Sequence, residues 1–221
     1  MITVWTACTG DAYDPEEVRI LKRQVDRHLK QPHIFNCITE HEIEGVGTVK
    51  PIKMLPGWWI KTALFGSTIS NPRNLWLDLD VTITGSLDEL VEPLTKQLRI
   101  CKNWAQSGHG GCQSSVMYWE GMSARVIGDE FDPNDAHWPP RNDVFWDNGK
   151  PGGQVAWGDQ EFITLLRDTG RLNVEYFDAA HVVSYKYHCL QHLPLESKIQ
   201  VFHGKPDPAD VNDDWVVQCR A

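Results

Sequence analysis

The chain has 221 residues, 41% apolar and 23% charged, which bounds it to one domain or a tightly fused pair with a single sizeable core. A net charge of −9 argues against sequence-blind binding to nucleic acid, which needs a basic surface. The six cysteines are scattered, with no Cys-x-x-Cys pair or zinc spacing, no secretory signal opens the chain, and no apolar run could span a bilayer; these features predict a reduced, soluble, cytoplasmic protein with free thiols.

In chain order, Ile2–Ala7 reads as a buried strand that ends in a turn at Thr9-Gly10-Asp11. Pro15 opens a predicted helix to Leu29 with Glu16 and Glu17 in its first turn, where acids suit the helix dipole. Strands are expected at Ile34–Ile38 and Thr48–Ile52, a helix at Trp58–Gly66, and strands at Leu75–Leu77 and Val81–Thr84, followed by a helical turn Leu87–Leu90 capped by Ser86. Arg99–Lys102 and Ser114–Trp119 read as further strands, Gly158–Asp168 as a helix, and Leu172–Phe177 and Lys198–Phe202 as the last strands. Between them Phe131–Trp157 is rich in Pro, Asn, Asp, Gly and Trp with no period, as functional loops often are. Strands alternating with helices predict an α/β fold: a single domain, residues 1–221, with a mixed central sheet flanked by helices.

The most informative stretch is Leu75–Thr82, where an apolar run ends in Asp78 and Asp80. Carboxylates two apart on a strand share a face, and buried carboxylates are costly unless paired or bound to a cation. A divalent metal that also holds phosphate oxygens would satisfy both; a plain strand end entering an acidic turn is the alternative. Thr6-Ala7-Cys8-Thr9-Gly10-Asp11-Ala12-Tyr13 lies at the carboxyl end of the first strand, where open α/β sheets bind ligands. It could hold a nucleotide with Tyr13 stacked on the base, or be a simple turn. Lys61, beside Trp58, Thr62 and Phe65 at helical spacing, suits a cation aimed at phosphate or a snorkelling surface lysine. His203-Gly204-Lys205 closes a strand with an imidazole for a transition metal, a glycine for close approach and an ammonium for phosphate. Ser184-Tyr185-Lys186-Tyr187 is a basic-aromatic patch that could touch acceptor or donor phosphate or be structural, and His188-Cys189 reads as an incidental pair.

Taken together these segments resemble the metal-dependent GT-A glycosyltransferases, and within them the retaining family that includes glycogenin and the bacterial lipooligosaccharide galactosyltransferases. The resemblance rests on Thr6-x-x-Thr9-x-Asp11-Ala12-Tyr13, Lys61, Leu77-Asp78-Leu79-Asp80 with Gly85-Ser86-Leu87-Asp88-Glu89-Leu90, Gln113-Ser114-Ser115-Val116-Met117, Asp159-Gln160 and His203-Gly204-Lys205-Pro206, in order from residue 2 to about 207. Gln113 stands where the family usually has Asn, and the end motif is shorter than the family's His-x-Gly-x-x-Lys-Pro.

The resemblance implies a GT-A fold and a nucleotide-sugar donor, UDP-linked, bound by Thr6, Ala7, Thr9, Tyr13, Lys61, Asp78, Asp80, Gly204 and Lys205. Mn²⁺ or Mg²⁺ would be held by Asp78, Asp80 and His203. Catalysis would fall to Asp159, which binds donor-sugar hydroxyls, to Gln160, which positions the anomeric centre, and to Lys205, which neutralises phosphate. Transfer would proceed with retention, by front-face attack of the acceptor hydroxyl. The 131–157 segment, with Trp138, Arg141, Trp146 and Trp157, would form an acceptor-side insertion. The acceptor would be a saccharide, a glycolipid or a protein hydroxyl, with a modified DNA base disfavoured by the acidic charge; the chain ends soon after Asp214 without the membrane tail of the lipooligosaccharide enzymes, which disfavours a lipid-anchored one. Two other readings use the same residues: a haloacid-dehalogenase-type phosphatase with Asp78 as nucleophile and Asp80 as general acid/base, and a nucleotide-sugar- or carbohydrate-binding module without turnover.

Overall fold

A computed structural model describes residues 1–50, 55, 57–66, 71–104, 111–132 and 158–221. Ten strands and four α-helices are seen among them: β1 (Ile2–Ala7), α1 (Pro15–His28), β2 (His33–Ile38), β3 (Gly47–Val49), β4 (Asn74–Leu77), β5 (Val81–Ile83), β6 (Leu98–Lys102), β7 (Cys112–Trp119), α2 (Val126–Glu130), α3 (Asp159–Asp168), β8 (Val174–Tyr176), β9 (Val182–Ser184), β10 (Ile199–Val201) and α4 (Asp214–Arg220). Seven strands form a mixed sheet in the order β3-β2-β1-β4-β7-β6-β8, and β5, β10 and β9 form a second, three-stranded sheet. The first four strands of the large sheet run parallel, while β7 is antiparallel to both of its neighbours.

Strand alternation divides the core into two layers. Ile2, Val4, Leu75, Leu77, Val116 and Tyr118 face α1 and the second sheet. Trp5, Trp76, Met117 and Trp119 face the opposite way and pack with Ile60, Leu64, Ile163 and Leu166. Helix α1 forms where expected: Asp14 accepts from the Glu16 amide at 2.8 Å, Pro15 opens the first turn, and Val18, Leu21 and Val25 are buried.

Several local expectations change. The Trp58–Gly66 segment is a 3₁₀ helix over Gly57–Phe65, with Trp59, Ile60, Lys61, Thr62, Leu64 and Phe65 buried and only Gly57 and Ala63 exposed, so burial does not follow an α-helical period. Asp78 and Asp80 lie past the end of β4. The Asp78 amide donates to Ser115 O at 2.9 Å, and the chain then turns through Leu79-Asp80 into β5, which belongs to the other sheet. Strand alternation therefore does not place the two carboxylates on a common face. Three-residue β9, a π-helical turn over Tyr185–Cys189, α2 and α4 had no clear period in the sequence. Helix α4 is tied to α1 by Arg220, which donates to both oxygens of Glu17 at 2.9 and 2.7 Å. Within the predicted irregular segment only Phe131 and Asp132 are described; Trp138, Arg141, Trp146 and Trp157 lie outside the described residues, as does Ile52 of the predicted third strand. All six cysteines are free, and among the described residues no helix is long and apolar enough to cross a membrane.

Candidate active site

A cleft of about 340 Å³ opens at the carboxyl ends of β1 and β4, lined in part by Ala7, Thr9, Tyr13, Lys61, Asp78 and Asp80. Six residues singled out from three separate sequence segments thus meet in one concavity, of a size that takes small ligands. The turn after β1 is shaped by Gly10, whose φ is +64° and whose amide donates to Glu40 Oε1 at 2.6 Å. Tyr13 reaches the cleft wall, and burial first, then the Asp80 charge, raise its phenol pKa. Thr6 differs from the expectation: it is fully buried in β1, its Oγ1 has no hydrogen-bond partner, and it does not line the cleft.

The floor is a buried charge network centred on Lys61. Its ammonium donates to Asp78 Oδ1 and Oδ2 at 3.0 and 3.2 Å and to Ser114 O and Oγ at 3.3 and 3.2 Å, and it lies 3.4 Å from Asp159 Oδ2. Trp76 Nε1 donates to Asp78 Oδ1 at 2.7 Å. Lys61 is only 2% exposed, which rules out a snorkelling surface lysine. Burial opposes its charge, but Asp159 and then Asp78 outweigh it and raise its pKa. One ammonium does not fully compensate two carboxylates. Burial accordingly leads in raising the pKa of Asp159, and Lys61 offsets it only in part.

Asp80 stands in contrast. Its backbone carbonyl accepts from Phe202 N at 2.8 Å, but its Oδ1 is buried with no hydrogen-bond partner. Burial, and next the Asp78 charge, raise its pKa well above the carboxylate range. An uncompensated carboxylate at a cleft mouth has the chemistry of a cation ligand. The Phe202 contact brings the end of β10 alongside it. There, His203 Nε2 is 2.7 Å from Ser184 Oγ, and its ring stacks with Trp104 at 5.7 Å and with Tyr187 at 5.9 Å. As the side chains stand, no three His, Cys, Asp or Glu groups among the described residues converge to hold a metal ion. Asp78, with Lys61 and Trp76 on its oxygens, is turned into the network.

The other predicted residues divide. Asp159 opens α3 and presents to the network a buried Oδ2 with no hydrogen-bond partner. Gln160 is half-buried beside it and donates weakly to Glu161 Oε1 at 3.4 Å. Gly204 has φ +66°. Lys205, expected at phosphate, is instead engaged by Asp207 and Asp210, with its side chain 76% exposed. Sequence reading missed Trp76, Ser114 and Glu161 as site residues. Ser114 was detectable as part of a polar triplet in a strand that is otherwise apolar and wholly buried. Glu161 is buried, its carboxyl pushed up to about 7 by burial first and by Asp159.

No protein-family model and no curated protein matches the sequence. Solved structures do. The glycosyltransferase GlyE of Streptococcus pneumoniae TIGR4 superposes with a TM-score of 0.71 at 14% identity, over 100% of this chain and 61% of GlyE. The galactosyltransferase LgtC, in complex with donor and acceptor sugar analogs, superposes at 0.65 and 13% identity, over 99% of this chain and 95% of LgtC. The fold is the GT-A glycosyltransferase fold. Mouse xyloside xylosyltransferase 1 shares it at a TM-score of 0.57 and 13% identity, over 92% of this chain and 97% of that one. The chain spans about three fifths of GlyE, with 61% of that chain covered, so the GT-A fold matches only a part of that larger protein.

Proposed function

We propose that this chain is a metal-dependent glycosyltransferase that moves a hexose or pentose from a nucleotide-sugar, UDP-linked, to a hydroxyl acceptor with retention. The observation that carries the reading is the open Asp80 carboxylate at the mouth of a cleft at the strand ends of a GT-A fold. A divalent cation, Mn²⁺ or Mg²⁺, would be held by Asp80 and His203, with Asp78 as the third ligand, and would supply neutralising charge for the leaving diphosphate.

The chain's own residues account for the remainder. Backbone groups of Ala7 and Thr9, with the Tyr13 ring, suit a nucleobase at the end of β1. Asp159, whose buried Oδ2 is ion-paired to Lys61 at 3.4 Å, suits a donor-sugar hydroxyl, and Lys61 keeps Asp159 and Asp78 fixed relative to each other. Gln160 follows directly; an amide is a poor nucleophile, so its role is to position the anomeric centre rather than to attack it. The acceptor would be a saccharide, glycolipid or protein hydroxyl.

Thermal shift tests the site. UDP and Mn²⁺ together should stabilise the wild type more than either alone, and Asp80→Ala should lose that increment. Metal-dependent release of UDP from UDP-sugars should follow, and NMR of the product should show a retained anomeric configuration. Binding of the donor with no release of UDP would identify a binding module, and an inverted linkage would overturn retention.

A further inference from the structure

The turn Ser184–Tyr187 was singled out in the sequence and plays no part in the function proposed above. It wraps the His203-Gly204 end of β10. Residue Ser184 pairs with Val201 across the β9–β10 ladder, its Oγ lies 2.7 Å from His203 Nε2, and Tyr187 stacks on the His203 ring. Between these two anchors, Lys186 is carried over Gly204: a Cβ on residue 204 would lie 3.3 Å from the Lys186 Nζ. The glycine, with φ +66°, leaves bare backbone under the ammonium. Lys186 is half-buried, and among the described residues no carboxylate pairs with it. The nearby Lys205 has the opposite character. It is more exposed, and its charge is already answered by Asp207 and Asp210.

We infer that Lys186, and not Lys205, is the cation that binds the diphosphate of a nucleotide donor at the His203-Gly204 edge, while Lys205 braces the Asp207–Asp210 turn. This rests on the glycosyltransferase reading proposed above. An unanswered ammonium over bare backbone is available to phosphate oxygens without first breaking an ion pair. A lysine held by two carboxylates would have to give them up.

Calorimetric titration of Mn²⁺-loaded protein with uridine, UMP, UDP and inorganic pyrophosphate tests the assignment. Lys186→Ala should weaken UDP and pyrophosphate by about tenfold, as expected for loss of one charge-assisted contact, and leave uridine unchanged. Lys186→Arg should recover most of the UDP affinity. Lys205→Ala should weaken UDP much less than Lys186→Ala. Equal UDP affinity in the wild type and Lys186→Ala would overturn the inference while leaving the glycosyltransferase reading in place. So would a larger loss in Lys205→Ala. Equal losses for uridine and UDP in Lys186→Ala would show a merely structural role and overturn it too. A wild type that binds neither UDP nor pyrophosphate would overturn both readings.

Discussion

The two carboxylates of Leu77-Asp78-Leu79-Asp80 sit two residues apart and live in different electrostatic worlds. Asp78 is engaged: Lys61 and Trp76 hold both of its oxygens in a network shared with Asp159 and Ser114, with its side chain 25% exposed. Asp80 is left open, with a buried oxygen that nothing in the protein answers and a pKa raised by burial and by its neighbour. The difference teaches that one half of the motif is tied into the fold by hydrogen bonds, while the other half keeps a buried Oδ1 with no hydrogen-bond partner.

The sharpest way to break this contrast is to remove the counter-ion of the floor. Lys61→Met should cost about 3–5 kcal/mol in urea denaturation, because it leaves the buried Asp159 and the half-buried Asp78 without a cation. Adding Asp159→Asn should return part of that loss, since one of the two stranded charges goes with it. A cost below 1 kcal/mol for the single variant would mean that water already screens the floor, and the contrast would disappear.

Titration of Glu161 probes the same floor from the α3 side. Its carboxyl is raised from 4.5 to about 7, by burial and then by Asp159. A raised folded-state pKa adds stability that is complete below the unfolded value. That stability is lost as pH climbs through the folded one. The wild type should therefore lose about 3 kcal/mol relative to Glu161→Gln between pH 4.5 and 7, and the two curves should run parallel above that window. Denaturation series on both proteins at matched pH would show it; a difference that grows with falling pH below 4.5 would give the wrong sign.

Much of this was legible in the sequence, and the failures have physical causes. The apolar runs at Ile2–Ala7 and Leu75–Leu77 fixed the strands because both faces of a central sheet are buried, and the Asp14-Pro15 start of α1 carries its own cap chemistry. Thr9, Tyr13, Lys61, Asp78 and Asp80 converge as their separate segments implied. The direction of each side chain was not legible. Lys61 turns inward to carboxylates from the buried side of a 3₁₀ segment, a fact of packing rather than of spacing. Lys205 turns to Asp207 and Asp210, close in sequence and within easy reach, and a motif read by its letters cannot weigh that competition. The three-residue strand β9 is specified by pairing with β10, a partner remote from its own residues, and so left no period to read.

The smallest effect in energy decides most about the comparison. Asp78→Asn and Asp80→Asn are the same change two residues apart. Asp78→Asn removes a charge-assisted partner of Lys61 and should cost about 1–3 kcal/mol. Asp80→Asn removes a desolvated carboxylate whose Oδ1 has no hydrogen-bond partner and whose charge Lys61 offsets only in part, so the apo protein should be as stable as the wild type or slightly more so. Their ligand responses should separate in the other sense. Asp80→Asn should lose the joint stabilisation by UDP and Mn²⁺, whereas Asp78→Asn should keep part of it, since the amide still accepts from Trp76 Nε1 and keeps the floor in shape. Thermal melts of both variants, with and without the two ligands, give four numbers that must fall in that crossed pattern. Parallel losses in stability would show Asp80 to be a fold residue like Asp78. Parallel losses in ligand response with stability intact would show that Asp78 leaves Lys61 when the cleft fills. The crossed pattern follows from a motif that divides its two carboxylates between holding the protein and holding what the protein binds.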